Sequence, residues 1–230
     1  MRTPQQRAAF LLALMFFLTS CFDVTEEFTI KENGSGSYNM KIDMYKMIEM
    51  ISEMGGSEDL QKDKDFNRNE DTTVYFKNNL KNVDNLTKEE IALLHESSAR
   101  MKMSLSEKQF FMSYNFPFSS NTDIGKIYQL TPKAIQQMKL KPEDSENETS
   151  KFNAEGNDVA KTNGYFEVKS GKNFFEKKLL KDEWIKKTEA DSSLEQLKPF
   201  MSKAYMISVV HTPRPVTKCE HPLAQLSEDK

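Results

Sequence analysis

The sequence is short of cysteine, of unbalanced charge and of long apolar runs. Two cysteines in 230 residues cannot build a disulfide framework. The 32 basic and 35 acidic side chains leave a net charge of −3, without the basic excess of a nucleic-acid footprint. No apolar stretch reaches the roughly 20 residues that a transmembrane helix needs. Internal repeats are absent too. What remains is a chain that is 37% hydrophobic and 29% charged, low for a globular protein but above a disordered tail.

The apolar residues are unevenly spread. The first 20 residues hold 12 of them. Arg2 and Arg7 precede an unbroken apolar run of 11 residues, Ala8 to Leu18. A charged start and a run of this length make a signal peptide over 1–20. The run ends at Thr19-Ser20-Cys21, and Asp23, Glu26 and Glu27 follow.

Leu18-Thr19-Ser20-Cys21 resembles the lipobox of bacterial lipoproteins. The resemblance implies a diacylglycerol on the Cys21 sulfur, cleavage before Cys21 and an acylated new amino terminus. Cys21 is thus the expected lipidation site and the membrane the expected partner. One acyl chain holds only marginally, at about 0.8 kcal/mol per buried methylene, so two or three make a stable anchor. Phe22 rather than Asp follows the cysteine, unlike the enterobacterial inner-membrane retention signal. The acidic residues after Cys21 resemble the surface-export tethers of Bacteroidota lipoproteins. The expected location is the cell envelope, at the outer membrane of a Gram-negative bacterium.

Loss of residues 1–20 removes both arginines and takes the net charge from −3 to −5. With Cys21 acylated, Cys219 is a lone thiol and no internal disulfide forms. The remaining 210 residues, 21–230, are expected to fold as one α+β domain on their own core.

The pattern predicts an antiparallel sheet with several short helices packed on one face. Phe28 and Ile30 lead to a turn at Glu32–Gly36, and Tyr38, Met40 and Ile42 alternate with polar residues. Met44, Met47, Ile48, Ile51 and Met54 recur at helical spacing up to Gly55-Gly56. A short strand is expected at 72–77. Thr87-Lys88-Glu89-Glu90 is a capping box that starts a helix, with Ile91, Leu94 and Ser98 inward. Met101, Met103 and Leu105, then Phe110, Met112, Tyr114, Phe116 and Phe118, alternate across a long hairpin. Pro117 marks a strand end or an edge. A helical turn or two is expected at 123–130, then a separate short helix capped by Thr131-Pro132. Residues 142–162 are polar and read as a mobile loop. Strands follow at 165–168 and 174–179, a helical stretch from Trp184, a second capping box at Ser192–Glu195 and an apolar strand at 204–210.

Two further resemblances are short. The strand followed by Thr212-Pro213-Arg214-Pro215, and the early Gly-Ser-Gly hairpin with Ile42-Asp43, resemble envelope lipoproteins of the mycobacterial LppM type and uncharacterised Bacteroidota lipoproteins. They imply an antiparallel α+β envelope domain without catalysis. Ser227–Lys230 resembles a turn lacking its next strand, so either truncation or edge pairing of the last strand is expected. Asp71-Thr72-Thr73 fits the Bacteroidota O-glycosylation pattern.

The residues of chemistry are sparse. His95-Glu96 lacks the second histidine of a zincin motif, and Cys219-x-His221 is one pair without another. Met44, Met47 and Met50 have a spacing that suits Cu(I), but the same spacing makes a core stripe, and the core reading is preferred. There is no P-loop, no Gly-x-Gly-x-x-Gly and no Gly-x-Ser-x-Gly. Glu89-Glu90 reads as first-turn charge on a helix dipole. The lysines at 177, 178, 181, 186 and 187 read as a solvated face, or as a contact for anionic lipid heads. Phe110, Met112, Tyr114 and Phe116 either line a groove for an apolar ligand or pack the core.

The expectation is a non-enzymatic, lipid-anchored binding or structural protein without cofactor, metal or nucleic acid. Its expected partners are the membrane through Cys21 and other envelope proteins or lipids. The alternative is an envelope-polymer hydrolase using carboxylates assembled in three dimensions.

Overall fold

The computed structural model describes residues 23–46, 49, 69–82, 85–104, 106–138, 162–190 and 205–227. The expected signal peptide (1–20), Cys21, Met47, Ile48, Met50, Ile51, Met54, Leu105, the loop expected at 142–162 apart from its last residue, and the second capping box lie outside the described residues. The fold is α+β, with a six-stranded sheet, a separate hairpin and a few helices.

The sheet comprises β1 (Asp23–Ile30), β2 (Gly36–Asp43), β3 (Glu70–Tyr75), β4 (Ser98–Ser104), β5 (Gln109–Phe118) and β8 (Tyr205–His211). Its spatial order is β3-β4-β5-β2-β1-β8. All neighbours are antiparallel except β1 and β8, which run parallel. The hairpin of β6 (Phe166–Gly171) and β7 (Phe174–Leu179) forms a second sheet.

Alternation sets the register, because one face of each inner strand is buried. Val24, Glu26 and Phe28 of β1 point inward beside Tyr38, Met40 and Ile42 of β2. Tyr38, Met40 and Ile42 lie opposite Phe116, Tyr114 and Met112 of β5. The β1–β2 turn holds Gly34 at φ +81°, a region that suits glycine.

Over this face lies α2 (Ile124–Gln137). Its buried stripe is Ile124, Ile127, Tyr128, Leu130, Thr131, Ala134 and Ile135. It is one helix, not the two expected at 123–130 and 131–138. Pro132 breaks the backbone ladder, but Thr131 Oγ1 donates to the Ile127 carbonyl at 3.0 Å, and the buried stripe runs on through the proline. Tertiary burial overrides the local stop signal.

The helix α1 (Lys88–Leu94) starts with the predicted capping box. Thr87 accepts from the Glu90 N–H at 3.2 Å, and Glu90 accepts from the Thr87 N–H at 2.7 Å. That second bond holds the Glu90 carboxyl below its ordinary pKa. Ser98 belongs to β4 rather than to this helix, since the chain turns at His95–Ser97. The strand expected at 72–77 covers 70–75, and a 3-10 segment follows from Phe76 to Asn82.

Pro117 sits at the end of a strand, as expected, but not at a sheet edge. Strand β5 lies between β4 and β2, with Pro117 opposite Ser37. The helix α3 (Lys181–Ala190) follows β7, and Trp184 meets Tyr165 edge-on at 4.9 Å between ring centroids.

Candidate functional site

The aromatic hairpin face is core. Phe110, Met112, Tyr114 and Phe116 are all buried, so their side chains pack the core. The rings of Phe28 and Tyr38 stack at 4.7 Å, and Tyr38 stacks on Phe116 at 5.7 Å. Tyr128 comes down from α2 to 5.3 Å from Tyr38, and Phe175 from β7 to 4.8 Å from Phe28. Met44 is also buried in this core.

Inside it lies a group that sequence reasoning missed. Glu26 is fully buried. A carboxylate there is costly unless it is paired and hydrogen-bonded. Oε1 accepts from Tyr128 Oη at 2.8 Å and from Tyr38 Oη at 3.1 Å. Oε2 accepts from Lys177 Nζ and from Ser208 Oγ, the latter at 3.0 Å. Lys177 also reaches Ser208 Oγ at 3.0 Å and lies 4.5 Å from the Phe166 ring centroid. Four elements thus converge on the carboxylate that β1 carries: β2, α2, β7 and β8.

This corrects two expectations. Glu26 is not part of an exposed acidic tether, because strand alternation turns it inward between Val24 and Phe28. Lys177 is not on the solvated lysine face; its side chain is 13% exposed and closes the ion pair. Lys178 and Lys181 are exposed, as expected. One signal in the sequence did exist: Glu26 breaks an otherwise apolar inward row.

Burial, then the neighbouring Glu26 charge, pushes the Tyr128 hydroxyl far above its ordinary pKa. Burial alone raises Tyr114. Both stay neutral donors. With every lone-pair direction of the carboxylate engaged, the cluster acts as a polar rivet between sheet, helix and hairpin.

Over β4, β5, β2 and β1 the opposite face of the sheet is mostly polar. Two rows cross it from edge to edge. One runs Thr73, Arg100, Ser113, Lys41, Thr25, Ile207; the other runs Tyr75, Ser98, Asn115, Asn39, Glu27, Val209. Their central side chains line an open groove of about 410 Å³. Asn115 donates to Asn39 across the strands. At its rim Arg100 pairs with Asp71 at 2.6 Å and Lys41 with Asp43 at 3.1 Å, and His211 Nε2 lies 2.8 Å from Glu27 Oε1. The Arg100 hydrogen bond holds the Asp71 carboxyl below its usual range. Asp71 of the expected glycosylation motif is therefore an ion-pair partner on β3.

Among the described residues, no three His, Cys, Asp or Glu side chains cluster as a metal site. His95 lies against Glu96, His211 against Glu27, and Cys219 is exposed. No helix among the described residues is long and apolar enough to cross a membrane.

Comparison with protein-family models, with curated proteins and with solved structures finds no match.

Proposed function

We propose that this chain is a lipid-anchored cell-envelope lipoprotein of a Gram-negative outer membrane, with a non-enzymatic binding role. The anchor is Cys21, supported by the charged start, the apolar run and the lipobox-like Leu18–Cys21. The observation that carries the binding role is the division of labour between the two sheet faces. The inner face is spent on the core and on the Glu26 cluster. The outer face offers Thr25, Asn39, Asn115 and Ser113 in an open groove, a surface rich in hydrogen-bonding groups. Its partners are envelope lipids or envelope proteins.

Labelled palmitate tests the anchor. Incorporation is expected in the native chain and absent in Cys21→Ala; incorporation that survives the substitution sinks the anchor. Amide-shift mapping tests the groove. Lipopolysaccharide micelles or detergent-solubilised envelope proteins are expected to move the signals of Asn39, Asn115 and Ser113, and an Asn39→Ala/Asn115→Ala variant is expected to lose the effect. Shifts confined to other surfaces, or time-dependent cleavage of an added envelope polymer, overturn the reading.

A further inference from the structure

The strand β8 is anomalous. It lies at the edge of the sheet and its one strand partner among the described residues is β1. The N–H and C=O groups on its other side make a template for a further strand. Natural edges are commonly blunted by lysine, proline, bulges or short length. Tyr205-Met206-Ile207-Ser208-Val209-Val210 has no charge and no proline. It is also exposed on both faces: Met206 is 38%, Ile207 51% and Val209 36% exposed. The other edge, β3, carries Glu70 and Asp71. An apolar, exposed, unguarded edge marks a contact surface.

The pattern of β8 says which strand fits. It is self-complementary about Ser208. Ile207 and Val209 flank the serine on the outer face, and Met206 and Val210 come next on the inner face. Tyr205 and His211 close the ends. A two-fold interface needs this property, because residue i must meet j while j meets i. Antiparallel pairing centred on Ser208 sets Ile207 against Val209 and Met206 against Val210, twice each. No like charges are opposed, since the strand holds none before His211. We infer that β8 is the interface between two copies of this chain, joined antiparallel into one twelve-stranded sheet. The inference rests on the fold and the strand pattern, and stands whether or not Cys21 is acylated.

Cysteine cross-linking reads the register. The full chain is expressed in membranes in a Cys219→Ser background, which by itself must give no linked dimer. Directly opposed residues stand about 4.5–5.5 Å apart in Cα position, within disulfide reach, whereas diagonal ones stand about 7–8 Å apart. Co-expressed Ile207→Cys and Val209→Cys chains are expected to form a linked dimer at several times the yield of either alone. Equal or greater yield from Ile207→Cys alone, linkage to a different protein, or no linkage overturns the inference. As a second measurement, Ile207→Lys/Val209→Lys in the purified full chain is expected to raise the dimer dissociation constant at least tenfold in light scattering. Both side chains point outward, so the melting profile of the dilute monomer is expected to hold. A native chain that stays monomeric in that assay at every concentration overturns the inference as well.

Discussion

Tyr128 of α2 donates a 2.8 Å hydrogen bond to the buried carboxylate of Glu26, 102 residues earlier on β1. With Lys177 of β7 on the other oxygen, this contact locks the helix and the small hairpin to the sheet. A buried charge is stable only with its partners in place, so each partner is open to test.

Lys177→Met leaves Glu26 buried and uncompensated. The expected loss is about 3–5 kcal/mol, the scale for breaking a buried pair from one side. Pairing it with Glu26→Gln is expected to restore a large part of that loss. Urea unfolding of the four chains of this cycle measures the coupling. Strict additivity of the two single losses would show that the pair carries no interaction energy.

Tyr128→Phe keeps the ring and removes one donor. A loss of about 1–3 kcal/mol is expected, because Glu26 Oε1 keeps only Tyr38. Lys177→Met should therefore cost more than Tyr128→Phe, and the reverse order would contradict the assignment of the charge partner.

Stability is expected to fall at high pH. The raised pKa values of Tyr128 and Tyr114 mean that the folded state keeps protons that the unfolded chain releases. Their contribution is intact below the unfolded tyrosine pKa of about 10 and is lost above it, at about 1.4 kcal/mol per pH unit for each tyrosine. Melting curves from pH 8 to 11.5 test this, and the double variant Tyr114→Phe/Tyr128→Phe is expected to show a shallower decline.

Gly125→Ala tests the seam between α2 and the β6–β7 hairpin. An added Cβ would sit 2.4 Å from the Val168 carbonyl oxygen, so helix and strand must move apart. A cost of about 1–3 kcal/mol is expected, on the scale of overpacking. Thermal unfolding reads the loss, and faster amide exchange over β6 locates it.

Thr87→Ala removes the accepting hydroxyl of the α1 capping box. A loss of about 0.5–2 kcal/mol is expected in the same urea assay. The Glu90 carboxyl should also rise toward its ordinary pKa as its place at the cap loosens, a shift that carbon-detected titration can follow.

Much of the fold was legible locally. The β1–β2 and β4–β5 hairpins follow from period-two alternation, and the start of α1 follows from four residues that satisfy one another's backbone groups. At three places distant burial outweighs the local signal. Pro132 looked like a helix start, but the apolar stripe from Ile124 to Ile135 keeps the chain helical through it. Ser98 looked like the inner side of a helix that stops at Leu94. Lys177 looked like one more surface lysine, because its partner lies 151 residues away.

The sequence by itself determined the alternating strands, the cap of α1 and the inward aromatic face, since each depends on neighbours a few residues apart. It also carries the charged start, apolar run and lipobox-like end on which the proposed anchor rests. Only the tertiary structure decided that Glu26 is buried, that Lys177 neutralises it, and that the apolar β8 lies exposed at an edge parallel to β1. Those outcomes depend on which strands become neighbours. Strand order is set by the packing of all the elements together, and the local pattern of any one strand does not contain it.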